Sequence, residues 1–292
     1  MELDQLYKRV GKPHAERLEK LQKYPELIAK RDDLLLEEIT LLNQTGHYEE
    51  AMKKLDAHQF HPWEGGEGKV SGQYQLSRLE LAKIALKDAK KILLNGKGLD
   101  NQSNGKDAEA LLDRAIMLLN ECLVYPHHLG EGKLYGAQEN DFYYFLGCAY
   151  EMKDDMDKAK ECWETATFGP QEPAAAMYYN DAKPDKIFYQ GLALLKLGRK
   201  DEAHGRFYKL VNYGKNHLFE KVVMDYFAVS LPDLQIWEGD LDVANQIHCK
   251  YMLALGYYGL GDKKHAERYL DEAAELDVNH LGILSFKTWS NM

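Results

Sequence analysis

The sequence predicts an all-α fold in which antiparallel helix hairpins stack into an α-solenoid, or superhelix, with long connections between repeats. Three observations carry that expectation. A fixed spacing of small and bulky residues recurs along the chain, and each copy spans two amphipathic stretches joined by a short polar turn. A single hairpin of this kind cannot bury its own apolar face, so the copies must stack.

The spacing is clearest in YYFLGCAYEMKDDMDKAKECWETA, where Gly147 is followed by Tyr150, Ala159, Trp163 and Ala166. It returns as Gly191, Leu194, Ala203, Phe207 and Leu210, then as Ala254, Tyr257, Ala266, Leu270 and Ala273. Near the front it reads Ile39, Leu42, Ala51, Leu55 and His58. The polar turns hold Gly46, the pair Asp154 and Asp155, Gly198 and Gly261. Small residues let the paired helices approach, and the bulky position fills the space between neighbouring hairpins. A further unit is broken: LSRLELAKIALKDAKKILL reads as a first helix and Ala108, Leu112 and Ala115 as a second, with the polar, mobile insert NGKGLDNQSNGKD between them. In order, one domain over 1–292 is expected, with an extra helix over 13–30 and hairpins over 33–60, 76–125, 140–168, 185–212 and 245–276. A further extra helix is expected over 217–229, and another near Asp240 to Tyr258.

On these residues, Gly147, Tyr150, Ala159, Trp163 and Ala166 most fully, the chain resembles the tetratricopeptide repeat (TPR) family. The resemblance implies a protein-binding module with a concave face lined by first helices. The units begin at Ile39, Ala82, Gly147, Gly191 and Ala254, further apart than the roughly 34 residues of the ordinary repeat. That departure interrupts the smooth groove in which many such proteins hold a peptide. A second resemblance covers nearly the whole chain. The run from GLALLKLGRKDEAHGRFYKLV to ANQIHCKYMLALGYYGLG, with RDDLLLEEITLLNQTGHYEEA and FHPWEGGEGKV, is similar to the C-terminal helical-repeat region of large bacterial proteins whose front part is a β-rich domain of unknown function. It implies a detached repeat region that holds something else in place, with a link to sugar metabolism through the front domain, and it assigns no catalytic residue.

The chain has 292 residues, 45% of them hydrophobic, enough for a large core. Its 47 acidic against 37 basic side chains leave a formal charge of -10, which repels phosphate backbones and anionic membrane surfaces. Neither nucleic acid nor membrane is an expected partner. No apolar run approaches the ~20 residues of a bilayer span, and MELDQLYKRV has no signal-peptide pattern, so a cytoplasmic location is expected. Cys122, Cys148, Cys162 and Cys249 lie apart in apolar helical patterns, as buried thiols do, whereas a disulfide framework or zinc knuckle would cluster them.

One connection looks chemical at first. FHPWEGGEGKVSG, from Phe60 to Gly72, has the glycines and lysine of a phosphate loop. A P-loop, however, follows its lysine with Ser or Thr and is preceded by a strand. Here Val70 follows Lys69, and Glu67 would repel an anion. The stretch also has a twin, VYPHHLGEGKLYG, in which Pro126, Gly130, Glu131, Gly132, Lys133 and Gly136 match Pro62, Gly66, Glu67, Gly68, Lys69 and Gly72. Proline to end a helix and glycines to turn the chain make both copies shaped connectors. The groups left for a partner or ligand surface are Trp63, Glu64, Lys69, His127 and His128. Tyr179, Asn180 and Asp181, near Lys183 and Asp185, form a second candidate, because an outward tyrosine on a concave face offers stacking and hydrogen bonds. Most of the other tyrosines, Tyr143, Tyr144, Tyr189, Tyr257 and Tyr258 among them, read as packing.

Other chemistry is weak. His58 with His61, and His127 with His128, lack a Cys or carboxylate at a recognised ligand spacing, so no metal and no cofactor is expected. His248 beside Cys249 reads as an internally bonded histidine rather than half of a nucleophile pair. Glu49, Glu50, Asp154 and Asp155 read as helix starts and caps. The expected function is a non-catalytic scaffold that binds a protein or peptide, a second copy of itself included, or supports a carbohydrate-active domain. The alternative is a carbohydrate-binding or carbohydrate-processing protein that uses the aromatic and acidic connectors.

Overall fold

The computed structural model describes residues 2–62, 68–95, 101–175, 183–223 and 240–289. All regular structure among them is helical. The helices are α1 (Glu2–Arg9), α2 (His14–Leu21), α3 (Pro25–Ile28), α4 (Asp32–Gln44), α5 (Tyr48–Ala57), α6 (Lys69–Asn95) and α7 (Asn101–Glu121). After them come α8 (Asn140–Met152), α9 (Met156–Ala166), α10 (Pro184–Lys196), α11 (Lys200–His217), α12 (Leu241–Gly259), α13 (Lys263–Leu276) and α14 (Leu281–Trp289).

The five expected hairpins are α4 with α5, α6 with α7, α8 with α9, α10 with α11, and α12 with α13. Their turns follow from the residues. Gly46, Gly198 and Gly261 take φ of 81°, 78° and 83°, the left-handed region that ends a helix at little cost. The third hairpin has no such glycine; Asp154 takes φ 59° instead, and Asp155 caps α9 by accepting the Lys158 N–H at 3.2 Å. Close helix approach is equally specific. A Cβ on Gly147 would overlap the Trp163 indole, and one on Gly191 would overlap the Phe207 ring. Both aromatic side chains are fully buried.

First helices contact one another in series, α4 with α6, α6 with α8, α8 with α10 and α10 with α12. One apolar core runs from α2 to α6 and includes Phe60 and Leu129 from the two connectors. A second runs from α6 through α13 and ends on Ile283 and Phe286 of α14. That last helix comes back across the first helices: it touches α6, and Phe286 packs on Phe188 and Tyr258 at centroid distances of 5.9 and 4.9 Å. Burying Ile283 and Phe286 contributes about 1.5–3 kcal/mol each.

Several boundaries differ from expectation. The expected helix over 13–30 is two short ones, because Pro25 opens α3 after the chain has left α2; neither α1 nor α14 was expected. Helix α6 starts at Lys69, ahead of Leu76, so Lys69 and Gly72 belong to its first turn rather than to a loop. The polar insert is helical from Asn101 onward, against the expected mobile segment; residues 96–100 lie outside the described residues. No extra helix follows His217 over 218–223, and 224–229 lie outside the described residues. There the Asn245 side chain donates to the His217 carbonyl at 2.7 Å and Asp242 accepts the Val222 N–H at 2.9 Å, pinning non-helical chain onto α12. The helix near Asp240 to Tyr258 is α12 itself, the first helix of the last hairpin.

Candidate functional site

The twin connectors bind each other. The Phe60 N–H donates to the His128 carbonyl at 2.8 Å. The Glu131 carboxylate accepts the N–H groups of Gly68 at 2.5 Å and Ser71 at 2.7 Å, so the second copy caps the helix that the first copy opens. Gly68 and Gly130 have φ of 76° and 71°, and a Cβ on Gly130 would strike the Phe60 carbonyl. Glycine and glutamate in this motif are therefore the parts of a joint. Lys69 is half-buried at the start of α6. His127 is exposed in a short 3-10 turn, His127–Leu129, while His128 is half-buried with its ring 6.4 Å from that of Tyr74. Trp63, Glu64, Tyr179, Asn180 and Asp181 lie outside the described residues.

His58 and His61 do meet a carboxylate, from a distant part of the chain. Asp32 accepts from or pairs with His58 Nε2 at 2.8 Å and His61 Nδ1 at 3.0 Å, and it accepts the His61 N–H at 2.8 Å. Partial burial works against its charge, but these bonds outweigh it and hold its pKa below the ordinary aspartate value. Among the described residues no group of three or more His, Cys, Asp or Glu side chains is arranged to hold a metal ion. The four thiols are free, and burial raises Cys148, Cys162 and Cys249 to about 11 and Cys122 further. His248 Nε2 bonds the Ala174 carbonyl at 2.8 Å.

A cavity of about 210 Å³, open to solvent, lies among the first helices and α14, and the sequence did not announce it. Its walls come from five helices: Gly72, Gln75 and Lys83 of α6, Asp141 and Phe142 of α8, Asp185, Lys186 and Tyr189 of α10, Tyr251 of α12, and Ser285 and Phe286 of α14. Charged groups reach it through otherwise apolar surfaces, and all but Asp185 are paired. Lys83 Nζ donates to Glu80 Oε1 at 2.8 Å and to Ser285 Oγ at 2.7 Å, and Ser285 Oγ donates to the same carboxylate oxygen at 2.5 Å. Glu80 and Lys83 are 1% and 2% exposed, and Glu80 Oε2 has no hydrogen-bond partner among the described residues.

On the opposite wall Lys186 Nζ lies 2.5 Å from Asp141 Oδ1 and 4.9 Å from the Phe142 ring centroid. Burial disfavours this ammonium, but Asp141 and then Asp185 outweigh it and keep its pKa above the ordinary lysine value. Asp185 sits in the first turn of α10, where the helix dipole favours its charge. It makes no hydrogen bond or ion pair with a described residue. Tyr251 is 5% exposed, its ring 5.0 Å from that of His280, and its hydroxyl makes no hydrogen bond with a described residue. Burial, and after it the Asp185 charge, push that hydroxyl well above the usual tyrosine range. The cavity is thus a water-accessible recess with two neutralised ion pairs, one carboxylate left over, and aromatic walls.

Sequence reasoning missed Lys83, Asp141, Lys186 and Tyr251 as site residues, and it placed Asp185 in a connection. A signal was present: charged residues at apolar-stripe positions of first helices, as in LSRLELAKIAL. Among the described residues no helix is long and apolar enough to cross a membrane. No family model matches the chain.

Proposed function

We propose that this protein is a TPR-like α-solenoid that works as a binding and scaffolding module without chemistry of its own, and that its working surface is the inner face. The observation that carries this reading is the convergence of α6, α8, α10, α12 and α14 on one cavity. In a stack of hairpins the first helices form the concave side, where convergent polar groups and aromatic rings define a ligand site. The series of contacts between first helices supports the stacked arrangement, and the glycine contacts with Trp163 and Phe207 support the repeat pattern.

The scaffolding half of the reading has its own support. Leu3, Tyr24 and Leu27, more than half exposed, border a second cavity of about 290 Å³ at the N-terminal end of the stack, which a partner domain or second copy would cover. A carbohydrate reading draws on the same inner cavity, since aromatic walls and two carboxylates suit a sugar. Thermal-shift screening with a peptide panel and a saccharide panel tests the proposal. Gly72 lines the cavity and a Cβ there meets no atom within 4 Å, so Gly72→Trp starts a bulky side chain at the recess with no clash at its first carbon. Ligands that raise the melting temperature of the wild type should lose that effect in Gly72→Trp. Stabilisation that persists in the variant, or no stabilisation from either panel, would remove the inner face as the working surface.

A further inference from the structure

We propose that the inner cavity is a site for a small organic ammonium group, which the Asp185 carboxylate and the Tyr251 hydroxyl hold against aromatic walls. The assignment rests on the inner face being the binding surface and adds the chemistry of what binds there.

Charge accounting at the cavity comes first. Among the described residues, Glu80, Asp141 and Asp185 bring carboxylates to it or directly behind its wall, and only Lys83 and Lys186 bring cations. Lys83 is used by Glu80 and Ser285, and Lys186 by Asp141. One negative charge is left over, and the group that carries it, Asp185, has no ion-pair partner among the described residues. His280 does not supply the missing cation, because burial depresses its pKa against the opposing pull of Asp277 and Asp185, and its Nδ1 is an acceptor for the Ile283 N–H at 3.2 Å.

The other recognition elements agree. Tyr251 lines the recess, and its hydroxyl has no bond to a described residue although the residue is only 5% exposed. It can accept from an ammonium that faces Asp185. The rings of Tyr189, Tyr251 and Phe286 line the same cavity, and aromatic walls favour a cation over a neutral group of the same size. A volume of about 210 Å³ suits one compact group rather than an oligosaccharide. An anion would face the uncompensated carboxylate, and a neutral sugar would find both lysines already engaged. The formal charge of -10 steers cations toward the molecule.

Isothermal titration calorimetry on the full chain tests this with n-butylammonium and, as its uncharged analogue, n-butanol. The wild type should bind the ammonium and discriminate against the alcohol by roughly ten-fold or more, the range for a charge-assisted hydrogen bond. Asp185→Asn should lose about ten-fold in affinity and the isosteric Tyr251→Phe about three-fold or more. Asp201→Asn, an exposed change on α11, should alter nothing, and circular dichroism melts establish that each variant is folded. A free-amine peptide that binds more tightly than n-butylammonium, with its acetylated form inert, would assign the ammonium to a protein partner; the reverse order would assign it to a free amine.

Equal binding of alcohol and ammonium, unchanged affinity in Asp185→Asn and Tyr251→Phe, or no binding of the ammonium overturns the proposal. If a different class of ligand then binds and Gly72→Trp abolishes it, the inner-face reading stands and only the ammonium assignment falls.

Discussion

Glycines at residue scale separate packing from turning. Gly147 and Gly191 face Trp163 and Phe207 so closely that one methyl group cannot be added without moving a buried ring. Gly147→Ala and Gly191→Ala should each destabilise by about 1–3 kcal/mol in urea unfolding. Gly72, helical with open space before its Cβ, should respond in the opposite sense, with Gly72→Ala gaining about 0.5–1 kcal/mol from helix propensity alone. The capping carboxylate is a third case. Glu131→Ala leaves the Gly68 and Ser71 N–H groups without their acceptor and should cost about 1–2 kcal/mol. These residues differ in legibility. Gly147 and Trp163 could be read from spacing, because a repeat displays its packing as a pattern. Glu131 could not, since a cap donated from a distant connector leaves no local signature, and Asp32 escaped between His58 and His61 for the same reason.

Among the elements, α14 closes one wall of the cavity and was the least expected. Its sequence, LGILSFKTW, carries no repeat spacing, and what holds it is tertiary: Ile283 and Phe286 buried, Ser285 on the Glu80–Lys83 pair, and His280 capping its first turn. That cap requires a neutral ring. An unfolded histidine titrates near ~6.5, and the folded His280 lies lower because it is buried. The unfolded chain therefore binds the proton more readily, so this contribution is complete above the unfolded pKa and declines as pH falls through it toward the folded value. Melts between about pH 7.5 and about pH 5.5 should show the decline, and His280→Asn, which retains a capping side chain, should flatten it. The ion pair beneath α14 sets a second expectation. Lys83→Met strands the Glu80 carboxylate in the core and should cost about 3–5 kcal/mol, whereas Lys83→Met with Glu80→Leu should recover most of the loss.

For the molecule as a whole, the hairpins were legible and their connections were not. Periodicity reports which residues of a helix face inward, so the helices α4 to α13 could be drawn from the sequence, although α6 and α7 each begin about two turns earlier than their patterns show. The connectors obey no period: FHPWEGGEGKVSG and VYPHHLGEGKLYG looked like two equivalent loops, yet one opens α6 in its first turn and the other supplies the carboxylate that caps it. The cavity was hidden for a related reason. Its residues come from five helices spread between Gly72 and Phe286, and only the stacking of first helices and the return of α14 bring them together. If that convergence is the working surface, binding there must slow amide exchange along one side of the stack. Hydrogen–deuterium exchange of the full chain, with and without a ligand identified by the thermal-shift screen, reads this directly. Protection should concentrate on the inner segments of α6, α8, α10, α12 and α14, with α5, α7, α9, α11 and α13 unchanged. Protection confined to those second helices, or to the connector around His127 and His128, would place binding elsewhere and refute the inner-face site.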